Sequence, residues 1–352
     1  MRLRIVEFAD ELKNYKYFES EKIIALNPCS QSFFKKRKID FENSLNFFGI
    51  NGHTSVLNQS KKIMDIAKEK FNYTDENGVN LSYVEGFNTY LTFYLRYILI
   101  LLFIVDKVIQ KYKPEEIIVP ESTSIKNFGF YCSHNDRLLG YIVKKYVSAN
   151  NLKIKILEEK SNNKVYKINF NLFKNISKIF IFNFSNIIFK YFFNKKNIYF
   201  AINDSNNFSN VVSKIKAQDK KLRPVFLSLS NDGLKKYSKD FLRGNVFNLF
   251  FNNAVKNNKE SHGIEKSIRD FIINFSNENK TPEKINYLKV DLIDELCTFA
   301  SNVITKALKE LNAQVNFFHK IIKICRPKFM ISQHTHLIGC AFGELGKKYN
   351  IP

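Results

Sequence analysis

The chain has 352 residues, 45% hydrophobic and 15% aromatic, which is ample for packed cores and excludes a wholly disordered chain. Its formal net charge is +22, yet only nine of its 55 basic residues are arginine and these are scattered. The guanidinium forks that read phosphates and base edges are therefore not clustered, and no basic recognition motif accompanies the charge, so it does not read as a nucleic-acid interface.

Cys29, Cys132, Cys297, Cys325 and Cys340 are odd in number, widely spaced and lack any CxxC. They give neither a disulfide framework nor a zinc knuckle and suit a reducing compartment. The N-terminus carries acids where a signal peptide needs its apolar core, so a cytoplasmic location is expected. The most apolar run, Tyr97 to Val105, is far shorter than the ~20 residues needed to span a bilayer and reads as a buried helix.

In chain order, Lys22 to Leu26 suits a buried strand, Asn27-Pro28 a turn, and the following SQSFFKKRK a short helix. A long apolar helix then ends near Lys113, because Pro114 cannot continue the hydrogen-bond ladder. Strand EIIVP, a turn at EST, a helix around Asp136 to Ala149 and strand Leu152 to Leu157 follow. The second half repeats the plan with strand NIYFAIN, capped helix DSNNFSNVVSKIKAQ and strand PVFLSLS, then a helix-rich region and the strand around Phe329 to Ser332. Val108 to Ile125 aligns with Ile321 to Ile338 at a constant offset, matching Lys113-Pro114 to Arg326-Pro327. Helices alternating with β-branched strands predict an α/β fold of two Rossmann-like parallel-sheet modules. The expected modules are residues 1–159 and 197–352. The C-terminal module reads as truncated, because its last helix runs to Tyr349 and no strand follows Asn350-Ile351-Pro352. Gly339 and Gly343 are expected to let that helix approach its sheet closely.

Between the modules, 160–196 forms a basic aromatic linker or interfacial helix. No acid occurs from Lys160 to Asn203. Phe173, Phe180 and Phe184 share one helical face, with Lys174 and Lys178 roughly opposite. That pattern suits contact with an anionic membrane surface. Phe182, Phe189 and Phe193 intrude on the polar side, which suits an interdomain helix packed on both sides or a partner-protein groove.

GxxxxGK[ST], GxGxxG after a strand, HExxH, GxSxG and an Asp-x-Asp pair are all absent from the sequence. What remains is a set of polar loops at the carboxyl ends of parallel strands, where open α/β sheets place their ligands. ESTS includes Glu121 and Ser122, NDSNN includes Asn203, Asp204 and Ser205, and QHTH comprises Gln333, His334, Thr335 and His336. Each loop also suits capping of its following helix. A neutral imidazole at a strand end can take a proton from a hydroxyl, and a protonated one can donate to a phosphate. His334, His336 and Glu121 are thus the catalytic candidates, in that order. Metal binding is not expected, since the two histidines lack a third ligand at suitable spacing.

The long apolar helix, the Lys/Arg-Pro turn, the strand with a polar end and the helix containing GELGKKYNIP resemble the acceptor-side half of bacterial GT-B glycosyltransferases of surface-polysaccharide pathways. The likeness extends to the related polymer-building glycerophosphotransferases. It implies transfer of a sugar from a nucleotide-sugar donor to a lipid-linked or growing glycan acceptor, at the inner face of the cell membrane and without a metal. It implies no cofactor beyond the donor itself, and a C-terminal nucleotide-binding domain beyond Pro352. On the acceptor side it assigns substrate contact to Asn203, Asp204, Ser205, Gln333 and Thr335, with Ser122 at the corresponding loop of the first module. Two alternatives stand beside it: a CDP-glycerol-type glycerophosphotransferase or nucleotide-sugar epimerase, and a non-catalytic membrane-peripheral binding protein.

Overall fold

The computed structural model describes residues 1–12, 20–70, 85–122, 138–159, 197–202, 208–228, 247–250, 261–278, 285–332 and 337–352, with the single positions 74 and 78. In chain order the elements are β1 (Arg2–Val6), β2 (Glu21–Ala25), α1 (Pro28–Lys36), β3 (Glu42–Asn43), α2 (Leu45–Lys70), α3 (Glu85–Tyr112), β4 (Glu116–Pro120), α4 (Leu139–Ala149) and β5 (Lys155–Glu159). They continue with β6 (Ile198–Ile202), α5 (Phe208–Gln218), β7 (Arg223–Ser228), β8 (Phe247–Phe250), α6 (Ser261–Glu278), β9 (Asn286–Tyr287) and β10 (Val290–Asp291). The last are α7 (Ile293–Phe299), α8 (Thr305–Ile324), β11 (Met330–Ser332) and α9 (Leu337–Tyr349).

The fold is α/β with parallel sheets in two compact units. The first comprises Met1–Phe71, Tyr90–Val165 and Ile268–Thr305, and the second Asn72–Thr89, Tyr166–Ser267 and Lys306–Pro352.

The first unit holds a five-stranded parallel sheet in the order β3-β2-β1-β4-β5. Its central strand, β1, is absent from the elements expected of the sequence. Leu3 and Ile5 are almost wholly buried, and so is Arg4 at 4% exposure. Its guanidinium is bidentate to Glu21 (2.8 and 3.3 Å) and to Glu159 (2.5 and 3.0 Å). Burial pulls the Arg4 pKa down, but the hydrogen bonds to Glu21 and Glu159 outweigh that and hold the charge in place.

Helix α1 begins where Asn27 accepts from the backbone N–H groups of Cys29 and Ser30, while Ser30 completes the reciprocal cap and Pro28 supplies a preset φ. It covers one sheet face through a cluster of Val6, Leu12, Ile23, Ala25 and Phe34. Helix α3 is buried on most sides from Ile98 to Val105, as its apolar run predicts. It stops at Tyr112 because Lys113 takes a left-handed φ of 45° ahead of Pro114. Among the described residues, no helix is long and apolar enough to cross a membrane.

The segment Ile268–Thr305 packs within the first unit although it lies in the chain between β8 and β11 of the second. Gln59 donates to the Asn286 carbonyl (2.7 Å), Ser55 shares a hydrogen bond with the Tyr287 hydroxyl (2.8 Å), and Tyr94 stacks on Phe299 with centroids 4.1 Å apart. Glu295 is fully buried and accepts from the Tyr141 hydroxyl (2.5 Å) and from Lys145.

The second unit holds a four-stranded parallel sheet in the order β11-β6-β7-β8. Tyr199, Ala201, Val212 and Phe226 form a core cluster, with Ile215, Leu222, Phe329 and Ile331 packed on it. On α9, Gly343 departs from expectation. A Cβ on Gly343 would meet nothing within 4 Å, so it makes no close approach to the sheet. Gly346 is the tight position, where a Cβ would lie 3.1 Å from the Ile351 carbonyl oxygen and 3.4 Å from Met330.

Candidate functional site

In an open parallel sheet, a crevice forms where two adjacent strands send their following helices to opposite faces, at the strands' carboxyl ends. Each unit has one such switch point. In the first unit it lies between β1, whose neighbours run on to β2 and β3, and β4, which leads to β5. In the second it lies between β6, which leads to β7 and β8, and β11 on its other side.

The second unit's switch point is defined residue by residue. Met330 pairs with Phe200, Ile331 with Ala201 and Ser332 with Ile202, so β6 and β11 end level with each other. Asn203, Asp204 and Ser205 follow Ile202 in the chain, and α5 begins at Phe208. Gln333, His334, Thr335 and His336 follow Ser332, and α9 begins at Leu337. These seven candidate residues lie outside the described residues, as do Phe173, Lys174, Lys178, Phe180 and Phe184. What is described is the pair of strand ends from which the seven depart.

The remaining two candidates belong to the first unit. Glu121 is exposed just past β4, and its backbone N–H donates to the Glu159 carbonyl (2.9 Å), extending the β4–β5 ladder by one rung. Ser122 donates to the Glu158 carboxylate (3.2 Å), which also receives Lys144 of α4 (2.7 Å). Burial pushes the Glu158 carboxyl up, but Lys144 and Ser122 bring it net below the usual carboxylate range. Gly140 completes this junction, since a Cβ there would lie 2.5 Å from the Pro120 carbonyl oxygen and 2.7 Å from the Ser122 hydroxyl. Ser122 thus uses its described hydrogen bond to join strand and helix, and Glu121 leaves its carboxylate facing solvent.

Sequence reasoning missed Glu7 at this same edge. It follows β1, is 4% exposed, accepts from the Tyr97 hydroxyl, and its backbone N–H donates to Glu11 (2.9 Å). The signal was present as an acid directly after RLRIV, but the flanking arginines hid the strand. Among the described residues, no three His, Cys, Asp or Glu side chains converge as metal ligands would.

No family model and no curated protein matches the chain. Among solved structures, it is similar to a UDP-GlcNAc 2-epimerase from Neisseria meningitidis, bound to UDP-GlcNAc, with 11% sequence identity over 88% of this chain and 100% of that one. The TM-score of that superposition is 0.21, too loose a likeness to carry an argument about fold or chemistry.

Proposed function

We propose that the chain is a nucleotide-sugar-using enzyme of GT-B type, moving a sugar to a lipid-linked or glycan acceptor, with its acceptor crevice at the carboxyl ends of β6 and β11. The observation that carries the reading is the level pairing of Ile202 with Ser332 at the switch point of a parallel sheet. Both strands are followed by polar sequence containing hydroxyls, amides, a carboxylate and two imidazoles. Helices α5 and α9 start from the same sheet edge, and helix N-termini favour anionic groups.

In this reading His334 or His336 takes the proton from the acceptor hydroxyl as its oxygen attacks the anomeric carbon. The new glycosidic C–O bond forms, the C–O bond to the diphosphate breaks, and the nucleoside diphosphate leaves with the electron pair. Asn203, Asp204, Ser205, Gln333 and Thr335 orient the acceptor, while Glu121 is the reserve base and Ser122 a secondary contact. No cofactor is needed beyond the donor. The two compact units act as the two modules, with 160–196 bridging them or resting on an anionic membrane at the inner face of the cell membrane.

The test is turnover of a panel of nucleotide sugars and CDP-glycerol by the whole protein with glycan and lipid-linked acceptors. Release of nucleoside diphosphate coupled to acceptor extension is expected. Release of nucleoside monophosphate would instead indicate a glycerophosphotransferase, and an inverted sugar still attached to its nucleotide an epimerase. Binding without turnover would leave the binding-protein alternative, and absence of turnover would overturn the enzyme reading.

A further inference from the structure

Helix α2 presents apolar side chains to solvent. Gly52, Val56, Ser60 and Ile63 form its buried side, and a Cβ on Gly52 would lie 2.8 Å from the Phe103 ring of α3. The opposite stripe runs Ile50, Thr54, Leu57 and Lys61, spaced i, i+4, i+7 and i+11, and all four are exposed. Ile50 is 86% exposed and Leu57 40%. Just before them Gly49, at φ 47° and ψ −167°, interrupts the helix, and Leu45 on its other side is 69% exposed. A single exposed leucine is ordinary, but three large aliphatic side chains left in water at the start of one helix call for a partner.

The charge that accompanies these side chains is positive on its outer side. No acid occurs from Leu45 to Met64, while Lys61 and Lys62 are exposed; the first acid of the helix, Asp65, comes one turn beyond Lys61. From α3, Lys111 lies over the Phe47 ring at 5.0 Å and Lys107 over the Phe103 ring at 5.4 Å. Phe48 packs edge-on against that same Phe103 ring, so both lysines border the start of α2. Their acidic partners, Glu42 at 2.8 Å and Asp106 at 3.3 Å, are turned inward, whereas the two lysines are about half-exposed.

We propose that the start of α2 is an interfacial anchor for an anionic lipid bilayer. Leu45, Ile50 and Leu57 enter the boundary between headgroups and acyl chains, and Lys61, Lys62, Lys107 and Lys111 meet the lipid phosphates. A second copy of the chain is a poor occupant, because a two-fold contact would bring the same lysines of both copies together. Ile50 protrudes instead of lining a recess, which suits insertion among lipid chains. The anchor lies within the first unit and uses none of residues 160–196. It stands whether or not the acceptor chemistry proposed above holds.

The chain contains no tryptophan, so one introduced at the patch reports on it alone. Full-length Ile50→Trp is titrated with vesicles of phosphatidylglycerol and phosphatidylcholine, with and without brominated acyl chains. A blue shift and quenching by the brominated lipid are expected, and Leu57→Trp should behave alike. Ser32→Trp, exposed on α1, should be neither shifted nor quenched. Adding Lys61→Glu and Lys62→Glu to Ile50→Trp should raise the vesicle concentration at half-saturation at least ten-fold, since each lysine near an anionic surface contributes to binding. These lysines are exposed on the outer side of α2, so this arm reads charge and not folding. Unquenched emission from both Ile50→Trp and Leu57→Trp at saturating vesicles, equal quenching of Ser32→Trp, or an unmoved midpoint in the lysine variant would overturn the proposal. So would a blue-shifted emission of Ile50→Trp that grows with chain concentration in the absence of vesicles, which would show that protein covers the patch.

Discussion

Replacing Arg4 with methionine is expected to be the most damaging single conservative-volume change in the first unit. The side chain of Arg4 is 5% exposed, that of Glu21 is 0% exposed and that of Glu159 is half-exposed. Loss of the guanidinium lets Glu159 turn to water at little cost. Glu21 has no such exit. Among the described residues its other cation is Arg2, 3.8 Å away and at the margin of an ion pair. Removing one partner of a buried pair costs about 3–5 kcal/mol, because the remaining charge is left uncompensated. The Arg2 contact and the solvated Glu159 place Arg4→Met near the lower end of that range, at about 3 kcal/mol. Removing both charges restores most of the loss, so Arg4→Met with Glu21→Leu should lie within about 1.5 kcal/mol of the parent. Urea unfolding of the full chain, followed by hydrogen exchange in β1 and β2 so that the first unit is read by itself, measures both. A cost below about 1 kcal/mol for the single variant, or a double variant no better than the single, would refute the buried-charge argument.

Three further outcomes are expected. Leu288 and Lys289 both have positive φ (50° and 64°) in the two-residue turn between β9 and β10, where glycine and asparagine are the comfortable residues. Lys289→Gly should raise stability by about 0.5–1 kcal/mol in thermal unfolding, and a loss would show that the turn is not left-handed there. Glu116 is held below the usual carboxylate range by hydrogen bonds from Arg2 and Lys155, and Glu42 by Lys111, Tyr112 and Lys22 against the opposing effect of burial. Because these folded-state pKa values are lowered, their stabilisation is complete above the unfolded carboxylate pKa and is lost as pH falls through the folded values. The melting temperature should therefore drop as pH falls below about 4.5, less steeply in Glu42→Gln; an unchanged slope would remove Glu42 from the explanation. Sedimentation with anionic vesicles should be salt-sensitive and weakened by Lys174→Glu with Lys178→Glu; indifference to lipid charge would sink the interfacial reading of 160–196.

Local signals in the sequence carried most of the apolar strands and their helices. The apolar runs at β2, β4, β6 and β11, the Asn27-Pro28 start of α1 and the Pro114 stop of α3 each act within a few residues. Features that depend on distant partners were not legible. The arginines of β1 mask a central strand, because the carboxylates that neutralise Arg4 lie 17 and 155 residues away. The return of Ile268–Thr305 to the first unit rests on contacts such as Lys145 with Glu295, 150 residues apart. The β9–β10 turn lacks the Asn-Gly signal that would announce it. The candidate loops were legible as polar sequence after apolar strands. That Ser122 is tied to Glu158 on β5 was not, since a lone serine in a turn gives no hint of its partner.

The proposed acceptor crevice at the carboxyl ends of β6 and β11 is tested most directly by asking whether His334 and His336 respond to acceptor in the presence of nucleotide sugar. The chain contains six histidines, His53, His134, His262, His319, His334 and His336, so imidazole C–H resonances can be followed individually after single-site assignment. The direct measurement is a nuclear magnetic resonance titration of the histidine-labelled whole protein with nucleotide sugars and a glycan acceptor. Saturable shifts of His334 and His336, with His53 and His319 unmoved, are the result the account predicts. Saturation that moves other histidines and leaves these two still would contradict it.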